Sequence, residues 1–224
     1  MSSPDKVPDM IFDSPTPILQ FLDLAAAVAF AITGALVASR KQLDVLGFIW
    51  LAVTTGVGGG TVRDLVLGVP VFWVVDPTPV VACMVTAVLV HFGAHLLESR
   101  YRFILLFDAF GMALVAVAGT AKGLDAGTSA LVAVMMGVMT AALGGIIRDT
   151  FGQEPSIILR REIYVAAAVA GACAYVVMVQ FGVDRVVAMG TSFVLAFVIR
   201  VLAVRYNWSL PAYRGREGRD MSGE

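Results

Sequence analysis

The stretch TTGVGGGTVRDL, Thr54 to Leu65, sets four glycines, an arginine and an aspartate between the apolar runs VLGFIWLAV (45–53) and VLGVPVFWVV (66–75). A second stretch, AALGGIIRDTF (141–151), repeats the pattern 85 residues later, with Gly144, Gly145, Arg148 and Asp149 in the same frame. Both lie in a chain of 224 residues that is 58% hydrophobic and only 15% charged. Segments such as 45–62 and 127–147 carry no charge at all. Apolar runs of this length read as membrane spans, since about 20 helical residues cross the hydrocarbon core. The chain is therefore read as an all-α integral membrane protein. Its net charge of −1 matters less than where the charges lie.

Apolar runs between charged or Gly/Pro breaks give seven spans: Ile18–Ala38, Leu43–Leu67, Val80–Leu97, Phe103–Ala121, Ser129–Phe151, Ile163–Phe181 and Val186–Val204. Residues 1–17 form a polar, proline-rich tail without the basic start and cleavage site of a signal peptide. Residues 205–224 form a basic tail, and both tails are expected to be disordered or to lie on the surface. With the N-terminus outside, the cytoplasmic segments hold eleven basic residues: Arg40, Lys41, Arg100, Arg102, Arg160, Arg161, Arg200, Arg205, Arg214, Arg216 and Arg219. The outer segments hold only Lys6, Lys122 and Arg185. Basic residues concentrate on the cytoplasmic side of membrane proteins, so the N-terminus is placed outside and the C-terminus inside.

An ungapped offset of 85 pairs Asp23 with Asp108, Gly34 with Gly119, Thr55 with Thr140 and Gly59 with Gly144. It continues with Gly60–Gly145, Arg63–Arg148, Asp64–Asp149 and Pro70–Pro155. The matches fall on residue types that membrane composition alone would not keep. Residues 18–102 and 103–184 are thus two repeats of three spans, and 185–204 is a seventh span outside them. Because three is odd, the second copy enters the bilayer from the opposite side. In proteins built on inverted repeats, interrupted helices at matching positions mark the solute path. Here those are the second and fifth.

Glycine costs a helix interior roughly 1 kcal/mol relative to alanine, so Gly58, Gly59 and Gly60, with Gly144 and Gly145, are read as kinks. Backbone groups freed there must line a wet path or pack against protein, because lipid offers no partner. Close packing of small residues is the competing reading. Ionisable residues within a span face a cavity or a partner. Arg63 and Asp64 are neighbours that point in different directions on a helix, so they are not expected to neutralise each other simply. Depth offers another partner. Asp23 lies about 7.5 Å from the outer end of its span and Arg63 about 6 Å from the outer end of its own, at 1.5 Å per residue. Asp108 and Arg148 meet likewise near the inner face, with Asp149 beside them. Two Arg–Asp constellations, one at each end of the path, are expected; purely structural clamps are the alternative.

Thr54, Thr55, Thr61 and Thr140 are candidate path hydroxyls, although threonine also bonds to its own helix. His91 and His95 have i,i+4 spacing with Glu98 beyond, but no third ligand completes a metal site. Cys83 and Cys173 read as small buried residues without a disulfide. Trp73, Tyr206 and Trp208 read as interfacial aromatics. No phosphate-binding loop, nucleotide fingerprint or hydrolase motif is present. No enzyme, cofactor, metal or nucleic-acid partner is expected.

Seven spans in a three-plus-three-plus-one order, with GVGGGTVRD and ALGGIIRD in the second and fifth, resemble the prokaryotic TRIC family, relatives of the trimeric intracellular cation channels. The likeness covers about Leu22–Val204. It implies a homotrimer in the plasma (inner) membrane, with lipid around it and a pore in each protomer shaped by kinked second and fifth helices. It also implies permeation of monovalent cations, chiefly potassium and with sodium not excluded. Leu143 stands where a third glycine would complete the second motif. A related bacterial domain with the same doubled glycine-Arg-Asp architecture is described as a glycine transporter. A channel, a carrier of a small zwitterion such as glycine, and a non-conducting scaffold are therefore set against one another. The scaffold ranks last, because it needs no glycines and charges at matched depth.

Overall fold

The computed structural model describes residues 17–96, 100–154 and 163–209. Among them the chain forms eight α-helices: α1 (Pro17–Arg40), α2 (Val45–Leu67), α3 (Phe72–Val75), α4 (Thr78–Gly93), α5 (Arg100–Asp125), α6 (Ala130–Phe151), α7 (Val165–Gln180) and α8 (Arg185–Arg205). A 3-10 turn, Ala94–Leu96, follows α4. The tail before Pro17, the pair Arg160 and Arg161, Glu98, and the tail beyond Ser209 lie outside the described residues.

Five helices are long and apolar enough to cross a membrane: α1, α2, α5 from Tyr101, α6 and α8. The other two expected spans are shorter apolar helices of 16 residues each, α4 and α7. Short α3 is an addition, because VPVFWVV (69–75) lies between the expected second and third spans. The fourth span begins earlier and ends later than expected, so that Lys122 lies inside α5 rather than in a loop.

Local chemistry sets several ends. Asp44 caps α2 by accepting from the Gly47 amide at 2.8 Å. Gly68 closes the same helix in the left-handed region at φ 66°, a conformation that glycine adopts without a Cβ penalty. Asp184 accepts from the amides of Val186 and Val187 at the start of α8.

The packing is duplicated. In the first unit α1, α2 and α4 pack on one another, and in the second α5, α6 and α7 do the same. The units join through equivalent helices, α1 against α5 and α2 against α6. Helix α8 packs on α5 and α7. Large apolar side chains face outward: Leu46, Leu89, Phe92, Leu131 and Phe181 are 67–84% exposed. A soluble monomer rarely presents so much apolar surface, whereas a bilayer covers it without cost. Cys83 is buried as expected, but Cys173 is exposed, because it lies on the outward face of α7 where lipid tolerates a small apolar group. The polar interior is the inverse of this surface: Asp64 and Asp108 are fully buried.

Candidate functional site: two buried charge clusters and a glycine crossing

The first cluster gathers around Arg63 on α2. Its Nη1 and Nη2 donate to the two carboxylate oxygens of Asp23 on α1 at 2.8 and 2.9 Å. Its Nε donates to Asp64 Oδ1 at 2.8 Å. Lys122 Nζ, from α5, meets the same Asp64 oxygen at 2.8 Å. The other Asp64 oxygen accepts from the Phe72 amide at 3.0 Å. Two carboxylates thus face two cations. Taking charge out of water costs several kcal/mol per ion unless the geometry repays it, and a two-pronged Arg–carboxylate contact repays it best.

The second cluster repeats this around Arg148 on α6. Its Nη1 donates to Asp108 Oδ1 on α5 at 2.7 Å, and its Nε donates to Asp149 Oδ1 at 2.9 Å. Asp108 Oδ2 is buried without a hydrogen-bond partner among the described residues. The second cation here comes from α8. Arg200 is fully buried, lies within electrostatic reach of Asp108, and rests 5.0 Å over the ring of Tyr164. The Tyr164 hydroxyl in turn donates to the Ala141 carbonyl at 2.8 Å.

The contacts of Arg63 with Asp23 and of Arg148 with Asp108 are those that matched depth indicates. Contact within each Arg-Asp dipeptide corrects the expectation that neighbouring residues do not neutralise one another. The directions of the Cα–Cβ bonds do diverge, but the arginine side chain is long enough to fold back so that Nε reaches the adjacent carboxylate. Lys122 falls between the expected spans and Arg200 counts with the cytoplasmic segments although it lies within the seventh; both are inside helices. The sequence signal for Arg200 is its place in FVIRVLAVR, with apolar residues on both sides. For Lys122 it is the apolar Leu124 beyond it, which lets α5 continue to Asp125.

Between the clusters α2 crosses α6. Both helices run without a break through Gly58–Gly60 and Gly144–Gly145, contrary to the expected interruption. Glycine's helix cost of about 1 kcal/mol is smaller than the several kcal/mol for a backbone group left unbonded in lipid. What the glycines provide here is proximity. A Cβ on Gly59 would stand 2.5 Å from the Thr140 carbonyl oxygen, and one on Gly144 would stand 3.3 Å from the Thr55 carbonyl oxygen. These two contacts exchange under the offset of 85. Gly34 and Gly119 are related in the same way, lying against Thr55 and Thr140 respectively. Gly58 lies under Ile147 and Gly60 under Phe72, while Gly145 is buried in α6.

The threonine hydroxyls donate to their own helices: Thr55 to Leu51 at 2.5 Å, Thr61 to Val57 at 2.7 Å and Thr140 to Met136 at 2.6 Å. Thr54 donates to the Trp50 carbonyl in the same way. Their oxygens keep acceptor capacity, which Thr61 uses for the Trp73 indole. His91 packs edge-on against Phe48 with ring centroids 4.7 Å apart.

An all-helical membrane protein with a duplicated three-helix unit and a buried Arg–Asp cluster in each copy is a narrow class. A family model described as "Glycine transporter" matches twice, at residues 20–95 and 105–180, and these ranges differ by the same 85 residues. The UPF0126 inner membrane protein YadS of Escherichia coli strain K12 is 37% identical over 88% of this chain and 96% of its own length. A crystal structure of the TRIC trimeric intracellular cation channel orthologue from Rhodobacter sphaeroides is 48% identical, covering 85% of this chain and 99% of that one, with a TM-score of 0.83. A second structure, from work on conductance through TRIC cation channels, is 30% identical over 88% of this chain and 98% of its own, with a TM-score of 0.77. The chain belongs to the prokaryotic TRIC family, with the UPF0126 membrane proteins among its relatives. It is a multi-pass protein of the inner membrane, and its solved neighbours are channels rather than enzymes.

Proposed function

We propose that the protein is a monovalent-cation channel, chiefly for potassium, with one path in each protomer of a homotrimer. The path follows the crossing of α2 and α6 and is bounded by the two charge clusters. Seven helices cross the bilayer, α3 does not, and the two units are inverted with respect to each other. The N-terminus lies outside and the C-terminus inside; removing Lys122 and Arg200 from the loop count leaves the basic bias on the same side. Arg63, Asp23 and Asp64 then stand at the outer end, and Arg148, Asp108 and Asp149 at the inner end.

The observation that carries this function is the duplicated burial of an arginine between two carboxylates at equivalent positions. A core that only had to be stable would be served as well by apolar residues. Near-neutral clusters let a cation approach without a standing positive barrier, and Asp108 Oδ2, which has no hydrogen-bond partner among the described residues, is a ready ligand for an ion that has shed water. Freed or exposed backbone carbonyls supply the same chemistry, and the glycine runs lower the cost of bending α2 and α6 when the path opens. Similarity to the Rhodobacter sphaeroides channel supports the choice of ion class.

The description of the matching family model favours a second function, carriage of a small zwitterion such as glycine, with Arg63 and Arg148 holding a carboxylate. Purified protein in planar bilayers separates the two. Unitary potassium current steps establish the channel, whereas saturable glycine uptake into vesicles without current steps establishes the carrier.

A further inference from the structure

The geometry points to a lid at one end of the path: α3 seats the Phe72 ring over the Arg63–Asp64–Lys122 cluster, and Gly60 is the socket that lets it close. The inference rests on the permeation proposed above and adds a residue that decides access to it.

Helix α2 ends at Gly68, and the chain folds back so that the Val69 amide donates to the Asp64 carbonyl at 3.0 Å. Four residues later begins α3, itself only four residues long and with none of them buried. Phe72 and Trp73 pack against the hydrophobic core of the first unit, and two side-chain hydrogen bonds tie α3 to the end of α2. The Phe72 amide donates to Asp64 Oδ2 at 3.0 Å, and the Trp73 indole donates to Thr61 Oγ1 at 2.7 Å. The Phe72 ring centroid lies 5.8 Å from the Arg63 guanidinium carbon and 5.9 Å from Lys122 Nζ. Both cations therefore lie within cation–π range of one aromatic ring, an arrangement attractive to positive charge.

Gly60 makes this seat possible. A Cβ there would stand 2.7 Å from Phe72 Cε1 and 3.3 Å from Cζ, so any larger residue displaces the ring from this seat. Asp64 couples the lid to the cluster, because one of its oxygens holds Lys122 and Arg63 while the other holds the lid's backbone. Swinging α3 outward frees Asp64 Oδ2, uncovers both cations and admits water to the cluster, while α2 and α4 keep their own hydrogen bonds. The offset of 85 sets Ile157, a residue with no π face, at the position that matches Phe72.

Lys122 is a native reporter, since the chain's other lysines are Lys6 and Lys41. Full-length protein in nanodiscs is exposed briefly to a sulfonated N-hydroxysuccinimide ester, and labelling of each lysine is read by peptide mass spectrometry. Lys122 should label about tenfold more slowly than the exposed Lys41, the protection reflecting a small open fraction. Phe72→Ala should raise the Lys122 rate roughly fivefold or more with Lys41 unchanged, and Phe72→Leu should raise it less. Gly60→Ala should also raise it, yet add nothing in the Phe72→Ala background, where the methyl has room. If Phe72→Ala fails to fold, Gly60→Ala carries the test with the aromatic ring retained. Unchanged Lys122 labelling in variants that melt like the wild type would overturn the lid. Faster labelling in a protein that passes no potassium would uphold the lid and remove the channel; unchanged labelling alongside normal currents would do the reverse.

Discussion

Alanine at Gly59 and alanine at Gly144 should have different consequences, although the two positions are equivalent in the repeat. At Gly59 the new methyl meets the Thr140 carbonyl oxygen at 2.5 Å and the Gly144 amide nitrogen at 3.4 Å. Both obstacles are backbone, so relief requires α2 and α6 to separate by most of an ångström. Overpacking of this kind costs about 1–3 kcal/mol, against a gain of about 1 kcal/mol from replacing glycine within a helix. A net loss of up to about 2 kcal/mol follows. At Gly144 the closest atoms are the Thr55 oxygen at 3.3 Å and Phe30 Cζ at 3.4 Å. A shift of a few tenths of an ångström relieves these, the ring can turn, and the helix gain offsets the strain. Thermal unfolding of the purified protein should show Gly59→Ala melting several degrees lower, at about 2–4 °C per kcal/mol for a chain of this size. Gly144→Ala should melt within a degree or two of wild type on the same scale. Equal shifts, or a more stable Gly59→Ala, would refute the claim that the α2–α6 crossing is set by glycine proximity.

Asp23→Asn leaves Arg63 with Asp64 alone and should cost roughly 3–5 kcal/mol in stability, as expected when one partner of a buried pair is removed. By contrast Glu154→Ala, which breaks the partly exposed pair with Arg40 at 3.0 Å, should cost under about 1 kcal/mol; chemical denaturation in detergent compares the two. Arg200→Met should lower the melting temperature and depress potassium conductance, whereas Arg205→Met at the end of α8 should do neither. The double variant Gly59→Leu with Gly60→Leu should assemble at reduced yield and lose flux, and wild-type flux from it would leave the glycines with no part in permeation.

The sequence made the long helices legible because a bilayer imposes length and hydropathy on whatever crosses it. The pairing of Arg63 with Asp23, and of Arg148 with Asp108, was legible from depth, since helix rise converts residue number into distance. What escaped depends on side-chain reach and on element ends. Arg63 folds onto Asp64, a contact that backbone direction alone conceals. Lys122 and Arg200 sit near the ends of apolar runs, where hydropathy cannot separate a buried cation from an interfacial one. Helix α3 is too short to carry a periodic signal, so the meeting of Phe72 with Gly60 emerges only when the chain turns back at Gly68. The glycine motifs stand out in the sequence, but helix strength and close packing compete as readings of them. In lipid the backbone keeps its hydrogen bonds, and the missing Cβ is used for contact.

Charge reversal is a poor probe of the central pair, because Arg63→Asp would set a carboxylate beside Asp64, which already sits 2.8 Å from the Arg63 Nε. The direct test is a double-mutant cycle with Asp23→Asn, Arg63→Gln and the combined variant, read as potassium conductance in planar bilayers with melting temperature measured in parallel. If the cluster borders the ion path, each single variant that remains folded should lower conductance severalfold, and the combined variant should fall short of the product of the two losses. Wild-type conductance in folded single variants, or losses that simply multiply, would contradict the placement of Arg63 and Asp23 at the mouth of the path.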